Sequence, residues 1–184
     1  MNSQSTLSPI RHMAQGIYIA AQVFSLKRPL FEGIAKKRMQ RLELGRKLIE
    51  AVKNNKPEEV PALLAQKASV KVKDEFGQTA LWWAAKIGSC EMMRLLLKVG
   101  AGADSANYAG FTPLIQAAIG GHTDATVLLL ENGADPDKRD TTHGWNSSMW
   151  ALACGYPKLQ TLLETYEYNP DEVRGPGNRP LRRG

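Results

Sequence analysis

An all-α solenoid of stacked helix-turn-helix units with short β-hairpin fingers is predicted for residues 42–172, preceded by a basic helical N-terminal segment. Three observations predict it. The chain resembles itself at a spacing of 33 residues, each good copy sets Thr ahead of an Ala-rich apolar run, and each run ends on Gly. A period of that length holds two short helices and one turn. A unit so small cannot bury both helices alone, so its stability comes from stacking on its neighbours.

The first element is a basic segment, residues 1–41, with seven Lys/Arg against one acid, Glu32. Within it Ile10, Met13, Ile17, Ala20, Ala21 and Phe24 recur at roughly helical spacing beside Arg11, Lys27 and Arg28, in the manner of a mitochondrial targeting segment. From Leu30 to Val52 the apolar Ile34, Leu42, Ile49 and Val52 stand among basic residues and suit docking on the first unit. Lys36-Lys37-Arg38 reads as a solvated helix face, with nuclear import or membrane-surface contact as alternatives.

The repeats follow. Gly77, Thr79, Leu81, Ala84, Ala85 and Gly88 are matched 33 residues later by Gly110, Thr112, Leu114, Ala117, Ala118 and Gly121. The second halves match as well, Leu95-Leu96-Leu97 with Gly100-Ala101 against Leu128-Leu129-Leu130 with Gly133-Ala134. Thr79 and Thr112 are placed to cap a helix by accepting from its early N–H groups, and Pro113 fits the first helical position. Gly88 and Gly121 end the first helix; Gly100 and Gly133 end the second. A third copy from Asp140 runs at a period of 34, and a divergent one lies before Asp74, where Leu48, Ala51, Leu63 and Leu64 keep the register. Pro57 and Pro157 are expected to open the second helix of the outer units, and Pro61 to cost the first unit one helical hydrogen bond.

Gly-x-Thr-Pro-Leu-x-x-Ala-Ala-x-x-Gly-His followed by Leu-Leu-Leu-x-x-Gly-Ala-Asp, clearest from Gly110 to Asp135, resembles the ankyrin repeat. The resemblance spans 42–172, with good repeats at 74–106 and 107–139, a degenerate one at 140–172 and a divergent one at 42–73. It implies a non-catalytic module that binds a protein partner through a concave groove lined by finger tips and the exposed face of each first helix. By correspondence the groove takes Phe76, Gln78, Trp83 and Lys86 from one repeat, Tyr108, Phe111, Gln116 and Ile119 from the next, and Trp145 and Trp150 from the last, with Phe111 and Trp145 on finger tips. Aromatic side chains are enriched at binding hot spots. The family's His after Thr-Pro-Leu is replaced by Trp82 and Ile115, which puts the inter-repeat hydrogen bonds attributed to that His in question. Gly102 stands where Asp135 stands one repeat later, so a looser finger is expected there, and an extra residue between Asp140 and Gly144 lengthens the last one.

Other functions find little support. The basic excess belongs to the ends, because residues 42–172 carry 13 bases and 17 acids, so nucleic acid is not the expected partner. His12, His122 and His143 are scattered, Cys90 and Cys154 lie far apart, and no glycine-rich loop is followed by Lys-Ser/Thr. No catalytic constellation, metal, cofactor or small-molecule substrate is expected. The tail 173–184, with four Arg and little apolar content, is expected to be disordered. The two cysteines suit a reducing compartment, and the cytoplasm is the expected location, with mitochondrial or nuclear targeting through 1–41 as the alternative. A targeted or membrane-associated accessory subunit of a larger complex is the rival function.

Overall fold

The computed structural model describes residues 32–166. The targeting pattern at 10–28 and the tail 173–184 lie outside the described residues. The chain divides between residues 40 and 41 into two units. Of the first, the described residues 32–40 are helical and exposed throughout, Ile34 and Met39 included.

The second unit opens on helical residues 41–53 (α1) and continues with α2 (Glu59–Ala65), α3 (Ala80–Ile87), α4 (Cys90–Lys98), α5 (Pro113–Ile119), α6 (Thr123–Glu131), α7 (Ser147–Ala153) and α8 (Pro157–Glu164). Helices pair within a repeat as α3 with α4, α5 with α6 and α7 with α8. Across repeats the first helices α3, α5 and α7 pack in one row, and α2, α4 and α6 in a second. The all-helical solenoid expected from the period is the fold observed.

The capping residues act as expected. Thr79 and Thr112 accept from the backbone N–H groups of Trp82 and Ile115 at 3.2 Å each. In the degenerate last repeat Asn146 takes over, accepting from Met149 N at 3.1 Å. Pro113 and Pro157 open α5 and α8, where no amide donor is needed. Gly88 closes α3 in the left-handed conformation, at φ 77°. Proline in the first repeat behaves differently from expectation. α2 begins at Glu59, after Pro57, so Pro61 becomes the third helical residue. The amide there has no intrahelical acceptor in any helix, and Pro61 costs no helical hydrogen bond.

The core runs between the two rows. Ala84, Ala85, Ala117 and Ala118 are fully buried and let α3, α5 and α7 approach closely, while Met92, Leu96, Leu129 and Leu130 fill the space beneath. Each large side chain buried this completely contributes about 1.5–3 kcal/mol. From the first repeat Leu48, Ile49 and Val52 join the same cluster, whereas Leu42 stays 38% exposed and is not part of it.

Among the described residues no strand forms, so the fingers are hairpin turns and not β-ribbons. The outermost main-chain bond of each runs from Asp74 N to Gln78 O, Asn107 N to Phe111 O and Asp140 N to Trp145 O, all at 3.0 Å. The last spans one residue more than the others, which is where the extra residue before Gly144 goes.

Candidate protein-binding face

The first residue of each finger determines the finger's shape. Asp74 Oδ1 accepts from Phe76 N at 3.0 Å and Gln78 N at 2.8 Å, and Asn107 Oδ1 accepts from Ala109 N at 3.0 Å and Phe111 N at 2.9 Å. A short polar side chain bonding its own backbone two and four residues on builds the turn without a strand partner. Asp140 is more fully engaged: Oδ1 accepts from Thr142 N, His143 N and the Thr142 hydroxyl, and Oδ2 from Trp145 N at 3.1 Å. Burial pushes its carboxyl toward protonation, but the hydrogen bonds from Thr142, His143 and Trp150 outweigh that and hold its pKa well below the usual carboxylate range.

Two indoles tie fingers to first helices. Trp83 Nε1 donates to Asp74 Oδ2 at 3.0 Å, and Trp150 Nε1 to Asp140 Oδ2 at 2.9 Å. The middle repeat has Asn107 and Gln116 at the equivalent places. Successive fingers are joined through Tyr108 N to Phe76 O at 3.1 Å and Thr141 N to Ala109 O at 3.0 Å.

The bond left in question by the missing His is supplied by another group. Trp82 Nε1 crosses to the carbonyl of Phe111 in the next repeat at 3.0 Å, with its ring only 3% exposed. His122, which does match the family pattern, donates from Nε2 to Lys86 O at 3.1 Å, so it too links neighbouring repeats. The finger at Gly102 gains a tie from the next repeat, where Asp135 N donates to Asp104 Oδ1 at 3.0 Å and Lys138 pairs with Asp104 Oδ2 at 3.0 Å.

The residues expected to line the groove separate into three groups. Phe76, Tyr108 and Lys86 are exposed, at 61% and 71% for the two rings. Gln78, Trp83, Phe111, Ile119, Trp145 and Trp150 are half-buried. Gln116 is buried at 9%, because α5 has α3 on one side and α7 on the other, and it is removed from the candidate surface. Phe111 and Trp145 are not on finger tips: they close the hairpins at their base, and the tips are Phe76, Tyr108 and the turn 141–143. There the rings meet those of the first helices. Phe111 and Trp150 have centroids 5.5 Å apart, Trp145 and Trp150 5.0 Å, and His143 stands 5.3 and 5.2 Å from Trp145 and Trp150. At the other end Lys53 and Lys86 place their ammonium groups 5.0 and 4.8 Å from the centroid of Trp83.

A further apolar patch was not foreseen. Met149 and Leu152 of α7 are 43% and 53% exposed, although their counterparts Ile115 and Ala118 are covered by the next repeat at 1% and 0%. The period alone points to this position, since it is the last described first helix in the row.

The comparisons with known proteins agree with this architecture. Residues 48–140 match the family described as ankyrin repeats (3 copies). The chain is 43% identical over 82 residues to the probable 26S proteasome regulatory subunit p28 of Saccharomyces cerevisiae, covering 42% of this chain and 35% of that protein. It is 35% identical over 120 residues to the ankyrin repeat protein nuc-2 of Neurospora crassa, covering 64% of this chain and 11% of that protein. To the IkB-like protein of African swine fever virus it is 32% identical over 78 residues, covering 42% and 33% respectively. The chain thus spans 35% or less of the length of these relatives. With the family match over half of its residues and the caps, stops and fingers in their places, the chain belongs to the ankyrin-repeat family.

Proposed function

We propose that this chain is a non-catalytic module that binds a partner protein through the groove formed by its fingers and first helices. Ankyrin repeats are in general protein-interaction modules. The observation that carries the reading here is the contrast among three indoles. Trp82 is buried like a core residue, whereas Trp83 and Trp150 remain half-exposed while their N–H groups are fixed to Asp74 and Asp140. Aromatic side chains held open in a single orientation lose little freedom on binding and make suitable anchors. The neighbouring Asp140, Thr142 and His143 do not favour nucleophilic catalysis, because the Thr142 hydroxyl donates to a carboxylate already engaged by four N–H groups.

The test is affinity capture from cell extract with the full chain and with a Trp83→Ala/Trp150→Ala variant whose circular dichroism stays helical. Partners captured by the wild type and lost by the variant support the groove; an identical set on both sinks it.

A second reading, a subunit built into a larger complex, is favoured by the exposed Met149, Leu152 and Tyr156 at the end of the row. It differs in its test. Leu152→Glu would release the chain from large assemblies on gel filtration without affecting partners held by Trp83 and Trp150.

A further inference from the structure

The groove read above differs chemically along its length. Aligned by the repeat period, one first-helix position holds Lys53, Lys86, Ile119 and Ala153, and another holds Glu50, Trp83, Gln116 and Trp150. Its beginning is therefore cationic. Lys53 and Lys86 converge on the single ring of Trp83 from successive repeats. Among the described residues Lys86 has no carboxylate partner, and Lys53 has only Glu50 of its own helix, at 3.6 Å with the Glu50 side chain 64% exposed, a pair of small worth. Asp74, beside Trp83, turns its oxygens onto the N–H groups of Phe76, Gln78 and Trp83. The far end is less polar: the rings of Phe111 and Trp145 pack on that of Trp150 beside His143, the position that holds Lys53 and Lys86 holds Ile119 and Ala153 there, and its own acid, Asp140, is buried.

We propose that the partner segment is bipartite: carboxylate side chains lie against Lys53 and Lys86 around Trp83, and bulky apolar side chains lie against Phe111, Trp145 and Trp150. The inference rests on the groove being the binding face. Two ammonium groups brought to one ring attract a carboxylate from both sides, and opposite potentials across an interface select the partner and its direction. A ring cluster at the other end excludes water from an apolar anchor. A segment running the opposite way sets its acids on the rings and its apolar residues on the ammonium groups, and is rejected.

The experiment selects peptides from a displayed library of random peptides on the full chain, on a Lys53→Glu/Lys86→Glu variant and on a Phe111→Ala/Trp150→Ala variant, each checked for helical circular dichroism. Wild-type pools are expected to carry Asp/Glu on one fixed side of an apolar or aromatic cluster. On the charge-reversed chain Lys/Arg should replace those acids, and the best wild-type peptide should bind it about tenfold or more weakly. Apolar pools without acids, or acids indifferent to the charge reversal, overturn the bipartite segment while leaving the groove in place. Pools that ignore both variants overturn the groove itself, and a selection with no binder above background overturns the peptide segment.

Discussion

Trp150 Nε1 reaches Asp140 Oδ2 at 2.9 Å, joining a first helix to the finger that precedes it, and Trp83 repeats the contact with Asp74 at 3.0 Å. The two pairs stand two repeats apart and are not equal in burial. Asp140 is 3% exposed and also holds the backbone of Thr142, His143 and Trp145, whereas Asp74 is half-buried. Asp140→Ala leaves several part-buried donors without their acceptor and should cost about 2 kcal/mol in urea unfolding, with Asp74→Ala at roughly half that.

The same carboxyl predicts a pH dependence. Its folded pKa is depressed below the unfolded value of about 3.9, so its contribution is fully present above that value and is lost as pH falls through it toward the folded pKa. Wild-type stability should therefore drop more steeply below about pH 5 than that of Asp140→Asn. Parallel slopes in acid titrations of the two proteins would remove Asp140 as the cause.

Phe111 and Trp145 carry a different prediction, because both rings pack against that of Trp150. Side chains at true finger tips would be nearly neutral on truncation. Phe111 instead faces Trp150 at 5.5 Å, so Phe111→Ala should cost about 1–2 kcal/mol, still below the ~2–5 kcal/mol of the fully buried Leu129→Ala. A double-mutant cycle between Phe111 and Trp150 should return a coupling of about 1 kcal/mol. Additive losses would mean that the ring contact contributes nothing to the fold.

Helices, caps and stops were legible because each answers to a short-range rule. Thr79 and Thr112 cap because of where they stand relative to an apolar run, and Gly88 stops its helix because of its own backbone. Gln116 was misplaced because a polar residue at a nominally exposed position is buried by the first helices of the repeats on either side. The bonds of Trp82 to Phe111 O and of Trp83 to Asp74 were invisible for the same reason, since indole reach depends on packing across repeats or back to a finger. Phe111 was assigned to a tip because the sequence shows that a turn exists and not which residue closes it. The helical segment 32–40 illustrates the opposite case, where local propensity is plain and nothing local says what it touches.

Trp82 stands where the family has His, and its contribution can be measured directly. Trp82→Phe removes the N–H that reaches Phe111 O and leaves a small void. That carbonyl keeps its bond from Asn107 N, so the loss should be moderate, about 1–2 kcal/mol. A melting temperature unchanged in Trp82→Phe would show that the inter-repeat bond is not needed for stacking.

The last prediction separates backbone strain from packing at two glycines that share one conformation. Gly88 and Gly100 both have positive φ, 77° and 85°, so alanine at either costs about 1 kcal/mol from the left-handed backbone alone. Around Gly100 there is open space, but a Cβ on Gly88 would come within 2.6 Å of His122 Nδ1. The imidazole would have to shift, and in shifting give up its bond to Lys86 O at 3.1 Å, which joins two repeats. Gly88→Ala should accordingly cost about 3 kcal/mol against about 1 kcal/mol for Gly100→Ala. His122→Ala removes the obstructing ring, so in that background Gly88→Ala should fall to the Gly100 level. If the penalty at Gly88 persists without the imidazole, the strain lies in the backbone alone and His122 is not the residue that demands glycine there.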